Sequence, residues 1–112
     1  KKHASANLSG ETYAACVYSY THQRNYEIVV SKEYIQADDR LLILDDFLAN
    51  GNAMNGMLEI AAQAGATVVG CGAAIEKGYQ GGGDALRRRG YRVESLAIID
   101  SMNESGIVFR KQ

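Results

Sequence analysis

Asp45 and Asp46 stand side by side behind a short aliphatic run, Leu41-Leu42-Ile43-Leu44, and a loop of small residues, Ala49-Asn50-Gly51-Asn52-Ala53, follows them. Adjacent carboxylates repel, so the pair calls for an exposed turn or for something that holds it. A small-residue loop that opens a helix presents unpaired backbone N–H groups at the positive end of the helix dipole. An anion can approach that backbone closely where side chains are small. Together the two features suit a phosphorylated sugar: amides for the phosphate, carboxylates for the vicinal ribose hydroxyls. The alternatives are an ordinary N-cap by Asn50 or Asn52, with Gly51 allowing the turn, and for the acids a solvated strand end or a divalent-cation pocket of the receiver-domain kind.

The elements that must position these residues are legible from periodicity. Residues 41–44 have the continuous apolar pattern of a strand buried on both faces. Ala53, Met57, Ile60, Ala61 and Ala64 recur at helical spacing, which predicts a helix over 52–64 with Gly65 as its stop. Residues 67–75 (TVVGCGAAI) read as a second buried strand. Strand, helix and strand in that order form a βαβ unit with parallel neighbouring strands, and ligands of such sheets gather beyond the carboxyl ends of the strands. Asp45 and Asp46 sit at one such end, and Glu76 and Lys77 at the next. Upstream, 14–20 and 26–31 read as two strands of a hairpin joined by THQRN. Downstream, Gly81 to Gly83 read as a flexible turn, Asp84 as the cap of a short helix through Arg89 ending at Gly90, and 92–99 and 107–109 as further strands. The fold class is α/β, a mostly parallel sheet flanked by helices.

Composition narrows the partners. Of the 112 residues, 46% are hydrophobic and 22% charged, with a formal charge of −1, which describes one ordinary globular domain without a basic field for nucleic acid or anionic lipid. A local basic cluster, Lys1-Lys2-His3, opens the chain. Cys16 and Cys71 belong to no Cys-x-x-Cys pattern, so both are expected reduced and packed inside, in a cytoplasmic protein with no zinc site. No apolar run approaches a membrane span.

The stretch ILDDFLANGNA resembles the phosphoribosyl diphosphate (PRPP) motif of type I phosphoribosyltransferases, in the form DDFLANG found in the bacterial xanthine-specific branch. The likeness extends through KKHAS, YSYT (18–21), QAGATVVG (63–70), IEKGYQ (75–80) and GYRVESLA (90–97). It implies a Rossmann-like type I phosphoribosyltransferase fold, of which this chain is the C-terminal portion, with roughly 75 residues preceding it in the whole domain. It further implies purine salvage: transfer of the phosphoribosyl group from PRPP to xanthine, with guanine and hypoxanthine as alternative bases, in a homodimer that uses Mg²⁺ carried mainly by PRPP and pyrophosphate. By the same resemblance Ala49, Asn50, Gly51, Asn52 and Ala53 bind the 5′-phosphate, Asp45 and Asp46 the ribose hydroxyls, and Lys77 an exocyclic oxygen of the purine. A lysine has no acceptor to offer the amino group of adenine. Tyr79, where the family has phenylalanine, is either a base-stacking or a rim aromatic. Lys1, Lys2 and His3 fall in the family's mobile catalytic loop, and a frayed basic terminus is the competing reading. A PRPP-sensing purine regulator without transferase activity is the alternative function. Such a protein has no use for the base-reading Lys77.

Overall fold

The structure, a computed structural model, describes residues 11–112. The chain divides into two compact units: the described part of the chain up to Leu41 together with Asn52–Val68, and Leu42–Gly51 together with Val69–Gln112.

The first unit is a hairpin and a helix. Strands β1 (Thr12–Ser19) and β2 (Arg24–Ser31) pair antiparallel, with Ala15 opposite Ile28 and Val17 opposite Tyr26. Alternation along β1 turns Ala15 and Val17 inward, where they form a buried cluster with Ile28 and with Ile60 of helix α1 (Asn52–Ala64). The same alternation turns Cys16 outward. It is exposed, against the expectation of a packed thiol, whereas Cys71 is buried. Gly56 lets α1 approach the hairpin closely, since a Cβ there would lie 2.5 Å from Val17 Cγ2. The helix ends as the sequence predicts. Gly65 has φ +71°, its N–H donates to the Ala62 carbonyl, and the Ala66 N–H donates to the Ala61 carbonyl, the pair of bonds that defines a Schellman cap.

The second unit is built on a four-stranded sheet in the order β3 (Arg40–Leu48), β4 (Thr67–Lys77), β5 (Val93–Asn103), β6 (Gly106–Phe109). Strands β4 and β5 are parallel, with Cys71 opposite Val93 and Lys77 opposite Ile99, and β6 returns antiparallel to β5. A seven-residue helix, α2 (Gly82–Arg88), lies between β4 and β5 in the chain and buries Leu86. Three expectations change here. Strand β3 is not buried on both faces: Ile43 is 7% exposed, but Leu42 and Leu44 are 60% and 66% exposed. It also runs through Asp45 and Asp46 to Leu48, because charged side chains do not end a strand whose backbone still has a partner. Finally, α2 begins at Gly82 with Gly81 as its N-cap, and Asp84 lies inside the first turn.

Candidate functional site

In β3, Asp45 and Asp46 are consecutive strand residues, so their side chains leave the backbone on opposite faces of the sheet. This alternation relieves the repulsion that their adjacency suggests. Each carboxylate is also tied to the chain just beyond it: Asp45 Oδ1 accepts the Asp46 N–H at 2.9 Å, and Asp46 Oδ1 accepts the Phe47 N–H at 2.8 Å. Asp45 is half-buried and Asp46 exposed.

The loop that follows β3 turns at Gly51, which is buried and has φ +91°. Its Ala49 carbonyl accepts the Gly82 N–H of α2 at 3.0 Å. Asn52 and Ala53 open α1 in the first unit. The Asn52 side chain donates to the Tyr18 carbonyl at 3.2 Å, and the Ala53 side chain packs against the hairpin cluster. The first turn of α1 contains no acidic residue, so nothing in its own sequence offsets the positive end of the helix dipole.

Lys77 is the last residue of β4, and its ammonium lies 5.7 Å from the centre of the Phe47 ring, one residue beyond Asp46. Contact of this kind with a half-exposed ring is worth about 0.5–1 kcal/mol. Phe47, which the sequence did not single out, thus supplies the ring against which the Lys77 ammonium rests. Tyr79 lies in the 3-10 turn after Lys77 and is 47% exposed. Lys1, Lys2 and His3 lie outside the described residues.

Glu76, beside Lys77, is fully buried. It does not pair with Lys77, because neighbours in a strand face opposite ways. Its carboxylate takes a two-pronged ion pair from Arg87, at 2.8 Å and 2.7 Å, and accepts the Ser95 hydroxyl at 2.7 Å. Arg87 also donates to Asp84 at 3.0 Å and to the Val93 carbonyl. Arg110 bridges Asp84 at 3.1 Å and Asp100 at 2.8 Å. Adjacency in β4 separates Glu76 from Lys77 onto opposite faces, but burial along the strand does not alternate regularly, so it does not say which of the two is buried. The partners, brought by α2, β5 and the last residues of the chain, have no local signature.

The Asp84 carboxyl is held below the ordinary carboxylate range, chiefly by the hydrogen bond from Arg110 and then by that from Arg87. A depressed folded-state pKa adds stability that is present above the unfolded value and is lost as pH falls through the folded one. Denaturant unfolding is therefore expected to show stability declining as pH drops below about 4. Asp84→Asn should flatten that acid limb, and an unchanged limb would refute the assignment.

No family model matches the chain. Its fold, however, is that of solved phosphoribosyltransferases. Adenine phosphoribosyltransferase of Saccharomyces cerevisiae superposes with a TM-score of 0.70 at 22% identity, over 81% of this chain and 49% of that one. The enzyme from Giardia lamblia gives 0.72 at 22% identity, over 83% and 51%. The architecture is therefore the type I phosphoribosyltransferase fold. Within that class, the chain is 56% identical over 109 residues to xanthine phosphoribosyltransferase of Bifidobacterium animalis subsp. lactis, covering 96% of this chain and 56% of the relative. It is 56% identical over 110 residues to that of Alkaliphilus metalliredigens, and 51% identical over 112 residues to that of Oceanobacillus iheyensis. The chain thus spans about half the length of the curated relatives it matches, 54% and 58% for the last two.

Proposed function

We propose that the protein containing this chain transfers the 5-phosphoribosyl group from PRPP to N9 of xanthine in purine salvage, releasing pyrophosphate. The observation that carries this reading is the run from β3 into α1: two carboxylates, then a small-residue loop, then a helix whose first turn holds no acid. Ala49 to Ala53 take the 5′-phosphate through their backbone, and Asp45 and Asp46 accept hydrogen bonds from the ribose hydroxyls. Lys77 donates to an exocyclic oxygen of the base, which favours a 6-oxopurine over adenine, and Tyr79 flanks the base. Lys1, Lys2 and His3 counter the charge of the departing pyrophosphate.

In the transfer the C1′–O bond to pyrophosphate breaks, the C1′–N9 bond forms, and the N9 proton leaves to solvent. Positive charge develops at C1′ in between, so the protein's contribution is alignment of the two reactants and negative charge placed for the ribosyl cation. Mg²⁺ belongs to the same proposal as an ion carried mainly by PRPP and pyrophosphate, with most of its ligands from substrate phosphates and water. When bound, that ion supplies charge neutralisation for the leaving group. A cytoplasmic homodimer is part of the same proposal.

Isothermal titration of the full-length protein with PRPP, followed by turnover assays with xanthine, guanine and hypoxanthine, tests this reading. PRPP binding and the fastest turnover with xanthine are the expected results. Failure to bind PRPP would overturn it.

A further inference from the structure

We propose that Gly82 is a positioning residue for the phosphate loop: α2, through the Gly82 backbone, sets the orientation in which the loop meets PRPP. The inference rests on the reading of Ala49 to Ala53 as the phosphate loop and adds to it a residue from a separate part of the chain.

The geometry begins with one hydrogen bond, Gly82 N–H to the Ala49 carbonyl at 3.0 Å. The chain has no cis peptide bond among the described residues, so the Ala49–Asn50 peptide is planar and trans. A carbonyl aimed at α2 therefore turns the Asn50 N–H to the opposite side. Left to itself, a short loop of Ala, Asn and Gly samples many peptide orientations, and ordering each residue on binding costs conformational entropy. A peptide already oriented in the free protein removes part of that cost.

Close packing makes the arrangement specific to glycine. A Cβ on Gly82 would lie 2.5 Å from the Ala49 carbonyl oxygen, 2.5 Å from the Asn50 carbonyl carbon and 2.6 Å from the Gly51 nitrogen. All three are backbone atoms, so a methyl group fits only if the loop or α2 moves. Gly83 closes the other side, where a Cβ would lie 2.5 Å from Glu76 Cδ. Glu76 is in turn held by Arg87 of α2 itself and by Ser95 of β5. The first turn of α2 is thus fixed between the loop and the buried carboxylate. Gly81 to Gly83 are not the flexible turn expected from their sequence. Gly82 and Gly83 are places where other groups come within contact distance.

Glu76 also precedes Lys77, so the loop assigned to the phosphate and the lysine assigned to the base share one anchor. The three atoms nearest a Cβ on Gly82 nevertheless all belong to the loop, which makes the inference testable by kinetics that separate the two substrates. In the full-length protein, Gly82→Ala is expected to raise KM for PRPP about tenfold or more, the scale of a misplaced binding group, while KM for xanthine stays within about twofold. Gly81→Ala is the control. Gly81 has φ +83° and a Cβ there meets nothing within 4 Å, so that change strains the backbone without touching the loop and should leave both KM values within about twofold.

A PRPP KM unchanged in Gly82→Ala, or a rise shared equally by both substrates, would overturn the positioning role. Should Gly82→Ala fail to fold, amide hydrogen exchange in the unmodified protein decides the matter. Saturating PRPP should protect the Gly82 amide about tenfold more and xanthine alone should not, whereas an amide indifferent to PRPP overturns the proposal. Absence of PRPP binding by the unmodified protein would instead remove the phosphate-loop reading, and this inference with it. PRPP binding with an insensitive Gly82 would remove this inference alone.

Discussion

Glu76→Ala is expected to lower the stability of the full-length protein by about 3 kcal/mol, the low end of what a buried ion pair costs when one partner is removed. The carboxylate is fully buried and accepts three hydrogen bonds, two from Arg87 and one from Ser95. Its removal leaves the Arg87 guanidinium beside an empty, non-aqueous space and strands the Ser95 hydroxyl. Two features keep the cost at the low end: the Arg87 side chain retains 30% of its exposure, and Asp84 still pairs with it. Thermal unfolding should show a midpoint about 10 °C lower for a protein of roughly twice this chain's length.

Glu76→Gln sharpens the reading. It keeps the volume and the Ser95 contact but not the charge, so its effect should be smaller than that of alanine. Pairing it with Arg87→Met should restore part of the loss, since an arginine without its carboxylate is worse than a neutral pair. A change below about 1 kcal/mol in Glu76→Ala would mean that the pair is ornamental, because that is the scale of an exposed ion pair.

The sequence made the elements legible where local rules operate. The helix over 52–64 and its glycine stop follow from apolar spacing and a φ that favours glycine, and both stand in the structure. The hairpin and the strand–helix–strand order were equally local. Strand ends were not: β4 runs on to Lys77 and β5 to Asn103, since a strand continues while its neighbour supplies hydrogen bonds, and no single sequence shows where a neighbour stops. The run of glycines was ambiguous in a more basic way. Glycine serves both freedom and close approach, and only the positions of Ala49 and Glu76 show that closeness applies here. Asp84 illustrates the same limit. Its sequence neighbours suggest a helix cap, but it is engaged by Arg87 three residues on and by Arg110 near the end of the chain. Leu42 and Leu44 belong to a run whose composition fits burial on two sides. Exposure of one side is a property of what surrounds the strand, which its own residues cannot encode.

The double substitution Asp45→Asn with Asp46→Asn is expected to lower kcat about 100-fold while changing KM for xanthine by less than about threefold. Asparagine suits the test because the fold uses each of these side chains through an oxygen that accepts a backbone N–H, Asp46 N–H for Asp45 and Phe47 N–H for Asp46. An amide oxygen accepts the same bonds, so β3 should keep its course and its stability. What the amide removes is negative charge at the point where the proposed reaction develops positive charge on C1′. A group that acts on the transition state more than on bound substrate appears in kcat, and one that merely holds the base appears in KM. Steady-state rates over a range of xanthine concentrations separate the two. Unchanged turnover in the full-length protein would remove Asp45 and Asp46 from the ribose site. A loss confined to KM for xanthine would move them to the base, beside the position proposed for Lys77.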